Sequence, residues 1–260
     1  HVAKLQVHLG SNASLNAAEK RWVSIGLAQC LNTQGKYDAA EKLLRPLWIQ
    51  LKADLGQTHP DRLYAGHQLG FALRRQETMR EASVVLAEVL EGRRSVLGPD
   101  HQLTLMTTTL MVRQLRDAAR FDEALALAKE LDGTVARTEG QGSVRHLSVS
   151  NTIAEVLLAK GDLAEALNVQ EPAFRQLTLS APDNEALDDA RFTLAEILAR
   201  LGRYERAEEL FEEVNVQDQK KYPPGHQLRW AALNNIAVMR GERRDFLGQL
   251  AVLEHLDTEM

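Results

Sequence analysis

Cysteine, proline and aromatic side chains are all scarce in this 260-residue chain: one Cys, seven Pro, and 5% Phe, Trp and Tyr together. A single thiol, Cys30, rules out an intrachain disulfide and any multi-cysteine zinc ribbon, and it fits a reducing compartment. Cys30 falls in a helical run and is expected to be buried. So few prolines and aromatics beside 44% apolar residues suit Leu- and Ala-packed helices better than an aromatic-rich sheet core. No apolar run approaches the roughly 18 residues of a membrane helix, and the N-terminus has no signal-peptide pattern, so a soluble, cytoplasmic protein is expected. A net charge of −5 and a pI near 5.9 argue against nucleic-acid binding by overall charge, leaving a local basic patch open. Because the chain begins at His1, it is taken as an excised or processed piece, and a catalytic or DNA-binding domain could lie outside it.

Catalytic signatures are missing too. No GxxxxGK[ST], HExxH, GxSxG or GxGxxG motif occurs, and Gly35-Lys36 is followed by Tyr37 without the upstream glycine of a phosphate loop. Nothing brings Ser, His and Asp together as a triad. No enzymatic activity and no cofactor are expected. His59, His101 and His226 invite a metal reading, but no Cys or carboxylate stands at ligand spacing beside them, so they are expected to be loop residues.

A repeat is what the sequence does have. Gly-Lys-Tyr-Asp-Ala-Ala at 35–40 returns as Arg-Phe-Asp-Glu-Ala at 120–124, Gly-Asp-Leu-Ala-Glu-Ala at 161–166 and Gly-Arg-Tyr-Glu-Arg-Ala at 202–207. The small residue falls at Ala40, Ala82, Ala124, Ala166 and Ala207, in steps of 42, 42, 42 and 41 residues. A period that constant marks a helical repeat array. The periodicity predicts helix pairs over Leu15–Thr33 with Asp38–Leu55, Leu63–Arg75 with Arg80–Leu97, Leu103–Arg116 with Phe121–Arg137, His146–Ala159 with Leu163–Leu179, and Ala186–Leu201 with Tyr204–Lys221. Leu228–Met239 with Phe246–Leu256 is a degraded sixth pair. Residues 1–14 are the end of a truncated earlier repeat, and the repeats span 15–62, 63–102, 103–145, 146–185, 186–227 and 228–260. The expected fold is all-α, a solenoid of about six antiparallel helix pairs in one domain.

Small residues early in each second helix let paired helices approach closely. Ala28, Gly70, Ala154, Ala195 and Ala237 do the same in the first helices, and Val112 breaks the series. Tyr37, Met79, Phe121, Leu163, Tyr204 and Phe246 are assigned to packing between helices. Glu77-Thr78 and Arg243-Arg244 stand where other repeats place a helix-ending glycine, so those turns are expected to be the least regular. Pro46 and Pro172, three periods apart, are expected to kink their helices.

This pattern of glycine, aromatic and small residues resembles the tetratricopeptide repeat. Leu55-Gly56-Gln57-Thr58-His59-Pro60, Leu97-Gly98-Pro99-Asp100-His101 and Leu233-Asn234-Asn235-Ile236-Ala237 resemble the 42-residue variety of kinesin light chains. Similar arrays form sensor halves of STAND-type NTPases and other regulators. The resemblance implies a right-handed superhelix, an α-solenoid whose first helices line a concave groove that holds an extended peptide or another protein. Projected onto this chain, the groove positions are Trp22, Ile25 and Gln29, then His67, Phe71, Arg74 and Arg75, then Arg113 and Arg116, Asn151 and Glu155, Phe192, Glu196 and Arg200, and Asn234. The carboxylate clamp of chaperone-binding members is not matched at Ile25, Gln29, His67 and Phe71. Asn151 and Asn234 could bond a ligand backbone.

The arginines sit on first helices of adjacent repeats, where their fields would add and suit an acidic segment; alternatively they pair with Asp117, Glu155 and neighbouring acids, or simply solvate the surface. The expected partner is a protein or peptide, bound by the sensor or adaptor part of a larger regulatory protein. The alternative is a self-association module, a homo-oligomer formed through the terminal repeats.

Overall fold

The computed structural model describes residues 15–222 and 227–259. The truncated helix expected over residues 1–9, its turn at Gly10 to Asn12, and the loop of Pro223 to His226 lie outside the described residues. Among the described residues the chain is helical with no strand: α1 (Ala17–Thr33), α2 (Tyr37–Leu55), α3 (Pro60–Arg75), α4 (Met79–Leu97), α5 (Gln102–Asp117), α6 (Phe121–Glu139), α7 (Val144–Lys160), α8 (Leu163–Ser180), α9 (Glu185–Arg200), α10 (Tyr204–Lys221), α11 (Gln227–Glu242) and α12 (Phe246–Glu259). The chain divides into two compact units, His1–Thr134 and Val135–Met260. Consecutive helices pack on one another from α1 to α5 in the first unit and from α7 to α12 in the second, and first helices also touch, α1 with α3 and α7 with α9. The fold is a helical repeat solenoid.

The starts of first helices depend on caps more than on apolar periodicity. Asn16, Ser143 and Asn184 accept backbone N–H groups of their helices, Asn16 with Glu19 as a complete capping box. His59 and His101 do so through Nδ1, accepting from the N–H of Asp61 at 3.2 Å and Leu103 at 3.1 Å. Their expected place in loops therefore holds, with a capping role that the spacing did not reveal. Pro60 then serves as first residue of α3, where a missing N–H costs nothing.

Among the described residues all six turns from a first to a second helix close in the same way. The residue at 35, 77, 119, 161, 202 and 244 has positive φ, and the next N–H reaches back five residues, as from Lys36 to Leu31 and from Thr78 to Leu73. This is the Schellman arrangement. Glu77 (φ 61°), Ala119 (φ 56°) and Arg244 (φ 62°) adopt it without being glycine. The expectation that Glu77-Thr78 and Arg243-Arg244 form the least regular turns is thus corrected: the helix-end hydrogen bonds impose one geometry on every repeat, and the side chain tolerates it.

Ala40, Ala82, Ala124, Ala166 and Ala207 are all wholly buried, and Val112 is accommodated in full burial as well. Helices also approach closely at Gly70, where an added Cβ would stand 2.4 Å from Leu86 Cδ2. Tyr37 and Tyr204 pack on the cores as expected. Phe246 does not, being 66% exposed. The helix that covers such a residue comes from the following repeat, as α3 brings Phe71 to Tyr37, and no described helix follows α12. Cys30, expected to be buried, is only half-buried and free, because its place on α1 lies at the margin of the packed face. Pro46 and Pro172 lie inside α2 and α8, which continue past them.

Candidate functional site

In the first unit the expected groove residues gather where α3 and α5 end. Arg74 and Arg75 close α3 and Arg116 closes α5, positions that the negative end of a helix dipole favours for cations. Asp117 is their hub. One of its carboxylate oxygens accepts from Arg74 Nη1; the other accepts from Arg116 Nε at 3.0 Å and Nη2 at 2.9 Å. The competing expectation, pairing with Asp117, therefore holds for Arg74 and Arg116. Arg74 is 9% exposed at its side chain. Burial pushes its pKa down, the Asp117 charge pushes it up, and the nearby Arg113 and Arg116 guanidinium groups lower it again. Arg113 and Arg116 thus share one neighbourhood with Arg74, close enough for their charges to be felt there.

An aromatic wedge adjoins them. Tyr37 and Phe71 meet edge to face with centroids 6.1 Å apart, Arg74 stands 5.9 Å from the Phe71 ring, and exposed Arg75 lies 5.3 Å over Tyr37 while donating to its hydroxyl at 3.2 Å. Planar donors beside ring faces can take a carboxylate and an apolar side chain together. Of the remaining first-unit positions, Trp22 is 72% exposed and Gln29 accepts from the Tyr64 hydroxyl at 3.0 Å.

Two expected groove residues of this unit face inward. Ile25 is part of the core at 4% exposure. His67 is buried, with Thr107 Oγ1 3.3 Å from its Nδ1, and Arg93 donates to that same hydroxyl at 2.5 Å and to the Leu103 carbonyl at 2.7 Å. Burial, reinforced by the Arg93 charge, pushes the His67 pKa down to about 4 and keeps the ring neutral. His67 positions α5 against α3 instead of presenting itself to solvent.

In the second unit Asn151 is likewise committed internally, at 2% exposure. It donates to Glu155 at 3.1 Å and accepts from Gln170 at 2.8 Å, while Gln170 also donates to the Ala190 carbonyl at 2.8 Å. This clasp joins α7, α8 and α9, so the expected contact of Asn151 with a ligand backbone is corrected: its amide is consumed in packing. Asn234 is exposed, and Phe192 is half-buried in edge-to-face contact with Phe211 at 5.5 Å.

Glu196 and Arg200 border a pocket of about 330 Å³. Residues that the projection missed complete it: Tyr204, Asn235, Val238 and Glu242. The period itself could have found two of these, since Val238 and Glu242 lie one repeat after Glu196 and Arg200. Among the described residues no group of three His, Cys, Asp or Glu could hold a metal ion, and no helix is long and apolar enough to cross a membrane.

Family models described as tetratricopeptide repeat match residues 21–46, 62–103 and 145–214, together just over half of the chain. The chain belongs to the tetratricopeptide repeat family. A Podosopora anserina putative kinesin light chain with nearly identical tetratricopeptide-like repeats is similar in fold at a TM-score of 0.64 and 20% identity, over 80% of this chain and 99% of that one. Two further similar folds are a Rap protein complexed with competence and sporulation factor (TM-score 0.68, 12% identity, 95% of this chain and 65% of that one) and NprR in complex with its cognate peptide NprX (TM-score 0.68, 12% identity, 96% and 70%). No curated protein sequence matches the chain.

Proposed function

We propose that this tetratricopeptide array is a protein- or peptide-binding scaffold, the sensor or adaptor part of a larger regulatory protein, which receives an extended acidic segment on the first-helix face of its first unit. The observation that carries this reading is the cluster of Arg74, Arg113 and Arg116, with Arg74 and Arg116 held by Asp117 and with Phe71 and Arg75 beside it. Asp117 holds two guanidinium groups in place before any ligand arrives, so an incoming carboxylate meets ordered donors and less side-chain entropy is lost on binding. Two structures of similar fold, a Rap protein complexed with competence and sporulation factor and NprR in complex with its cognate peptide NprX, support a scaffold of this class. The array acts by binding, with no catalytic group, cofactor or membrane contact assigned to it; the proposed setting is the cytoplasm.

The test is selection from a random twelve-residue peptide library on the 260-residue chain. Enrichment of Asp- and Glu-bearing peptides is expected, with binding weakened at least about tenfold in an Arg113→Ala, Arg116→Ala double variant. Selected peptides without acidic residues, or unchanged affinity in the variant, would refute the assignment.

A second reading, self-association through the last repeat, is favoured by the outer face of α12, where Phe246, Leu247, Leu250 and Leu253 are 66%, 84%, 53% and 43% exposed. The occupant is the same face of a second copy. Light scattering should then give a mass that rises with concentration; a strictly monomeric mass removes this reading.

A further inference from the structure

The first-helix face changes character along the repeats. Glu196 and Val238 occupy one repeat position on α9 and α11, and Arg200 and Glu242 another, four residues on. In the first unit the same two positions on α3 hold Phe71 and Arg75. The pocket of about 330 Å³ in the second unit is built from these substitutions. Its floor includes Met239, 5% exposed, and its apolar rim is Val238, 50% exposed. Two carboxylates, Glu196 and Glu242, stand on opposite helices of it, and Glu242 accepts from the Tyr204 hydroxyl at 3.4 Å, which orients the acid beside the cavity. Arg200 is exposed, and its long side chain can leave for water.

We infer that this pocket takes the side chain of a lysine or arginine carried by the bound peptide. The inference rests on the reading of the first-helix face as a peptide groove. The match is chemical at both ends of the side chain. A stem of three or four methylenes lies on Val238 and Met239, and the ammonium or guanidinium head reaches carboxylates on two helices. An acidic side chain would be repelled by Glu196 and Glu242, and a purely apolar one would bring no charge to meet theirs.

The experiment uses the same library selection on the whole chain, followed by a cycle. Peptides enriched on the unaltered protein should carry Lys or Arg at one fixed position. Replacing that residue by norleucine, which keeps the stem and removes the charge, should weaken binding about tenfold on the unaltered protein and leave it nearly unchanged on a Glu196→Gln, Glu242→Gln variant. Both glutamines are isosteric, and circular dichroism confirms the fold of the variant. Enriched peptides lacking a fixed basic residue would overturn this inference and leave the scaffold reading standing. So would an equal norleucine loss on both proteins. Failure to enrich any peptide would overturn the scaffold reading itself, and this inference with it.

Discussion

Exchanging the residues at two equivalent turns tests the conclusion that one helix-end geometry is imposed on every repeat. Ala119 has φ 56° and Gly161 has φ 95°, and each closes the same pair of hydrogen bonds, Ala119 to Arg116 with Arg120 to Leu115, and Gly161 to Leu158 with Asp162 to Leu157. An L-residue in this region is strained by about 1–2 kcal/mol through its Cβ, while glycine costs about 0.4–1 kcal/mol in extra freedom of the unfolded chain. Ala119 is exposed, so losing its methyl removes little packing. A Cβ added at Gly161 would meet nothing within 4 Å, so that exchange reports the backbone alone. Ala119→Gly should therefore stabilise the protein by roughly 0.5–1 kcal/mol, and Gly161→Ala should destabilise it by a similar amount. In urea, with unchanged slopes, the midpoints should move by about 0.3 M in opposite directions. Destabilisation by Ala119→Gly, or a neutral Gly161→Ala, would refute the reasoning, because the turns would then not be limited by the left-handed residue.

Three other outcomes follow from the packing. Ala124→Leu, at a wholly buried helix contact, should overpack the array and cost about 1–3 kcal/mol in thermal unfolding. His101→Ala removes the acceptor for the Leu103 N–H and should cost about 1 kcal/mol, with His101→Asn restoring it; equal stability of all three proteins would discard the cap. For His67, the folded pKa of about 4 lies below the ordinary value of 6.5, so the unfolded chain binds the extra proton. Its contribution is therefore fully present above pH 6.5 and is lost as pH falls toward 4, by up to about 3 kcal/mol. Chemical denaturation at pH 7 and pH 4.5 should show a smaller difference in His67→Gln than in the unaltered protein.

Architecture was legible because a repeat writes the same packing instruction many times. Ala40, Ala82, Ala124, Ala166 and Ala207 announce the spacing, and all five are wholly buried. Helix starts were less legible, since α3 begins at Pro60 and α5 at Gln102 through histidine caps that apolar periodicity does not register. The candidate site was legible only in part. Arg74, Arg113 and Arg116 do share a neighbourhood, yet Ile25, His67 and Asn151, projected onto the same face, are buried.

By itself, then, the sequence determined the repeat period, the helix pairs and the family, because each depends on local spacing repeated along the chain. Tertiary structure alone decided which polar residues of the first helices remain available. His67 is turned toward Thr107, Asn151 toward Gln170, and Arg74 toward Asp117, and each of those partners lies 19 or more residues away in the chain. A hydrogen bond across that separation leaves no periodic trace, and whether a side chain spends its donors inside the fold or offers them to a ligand is settled only when the helices pack.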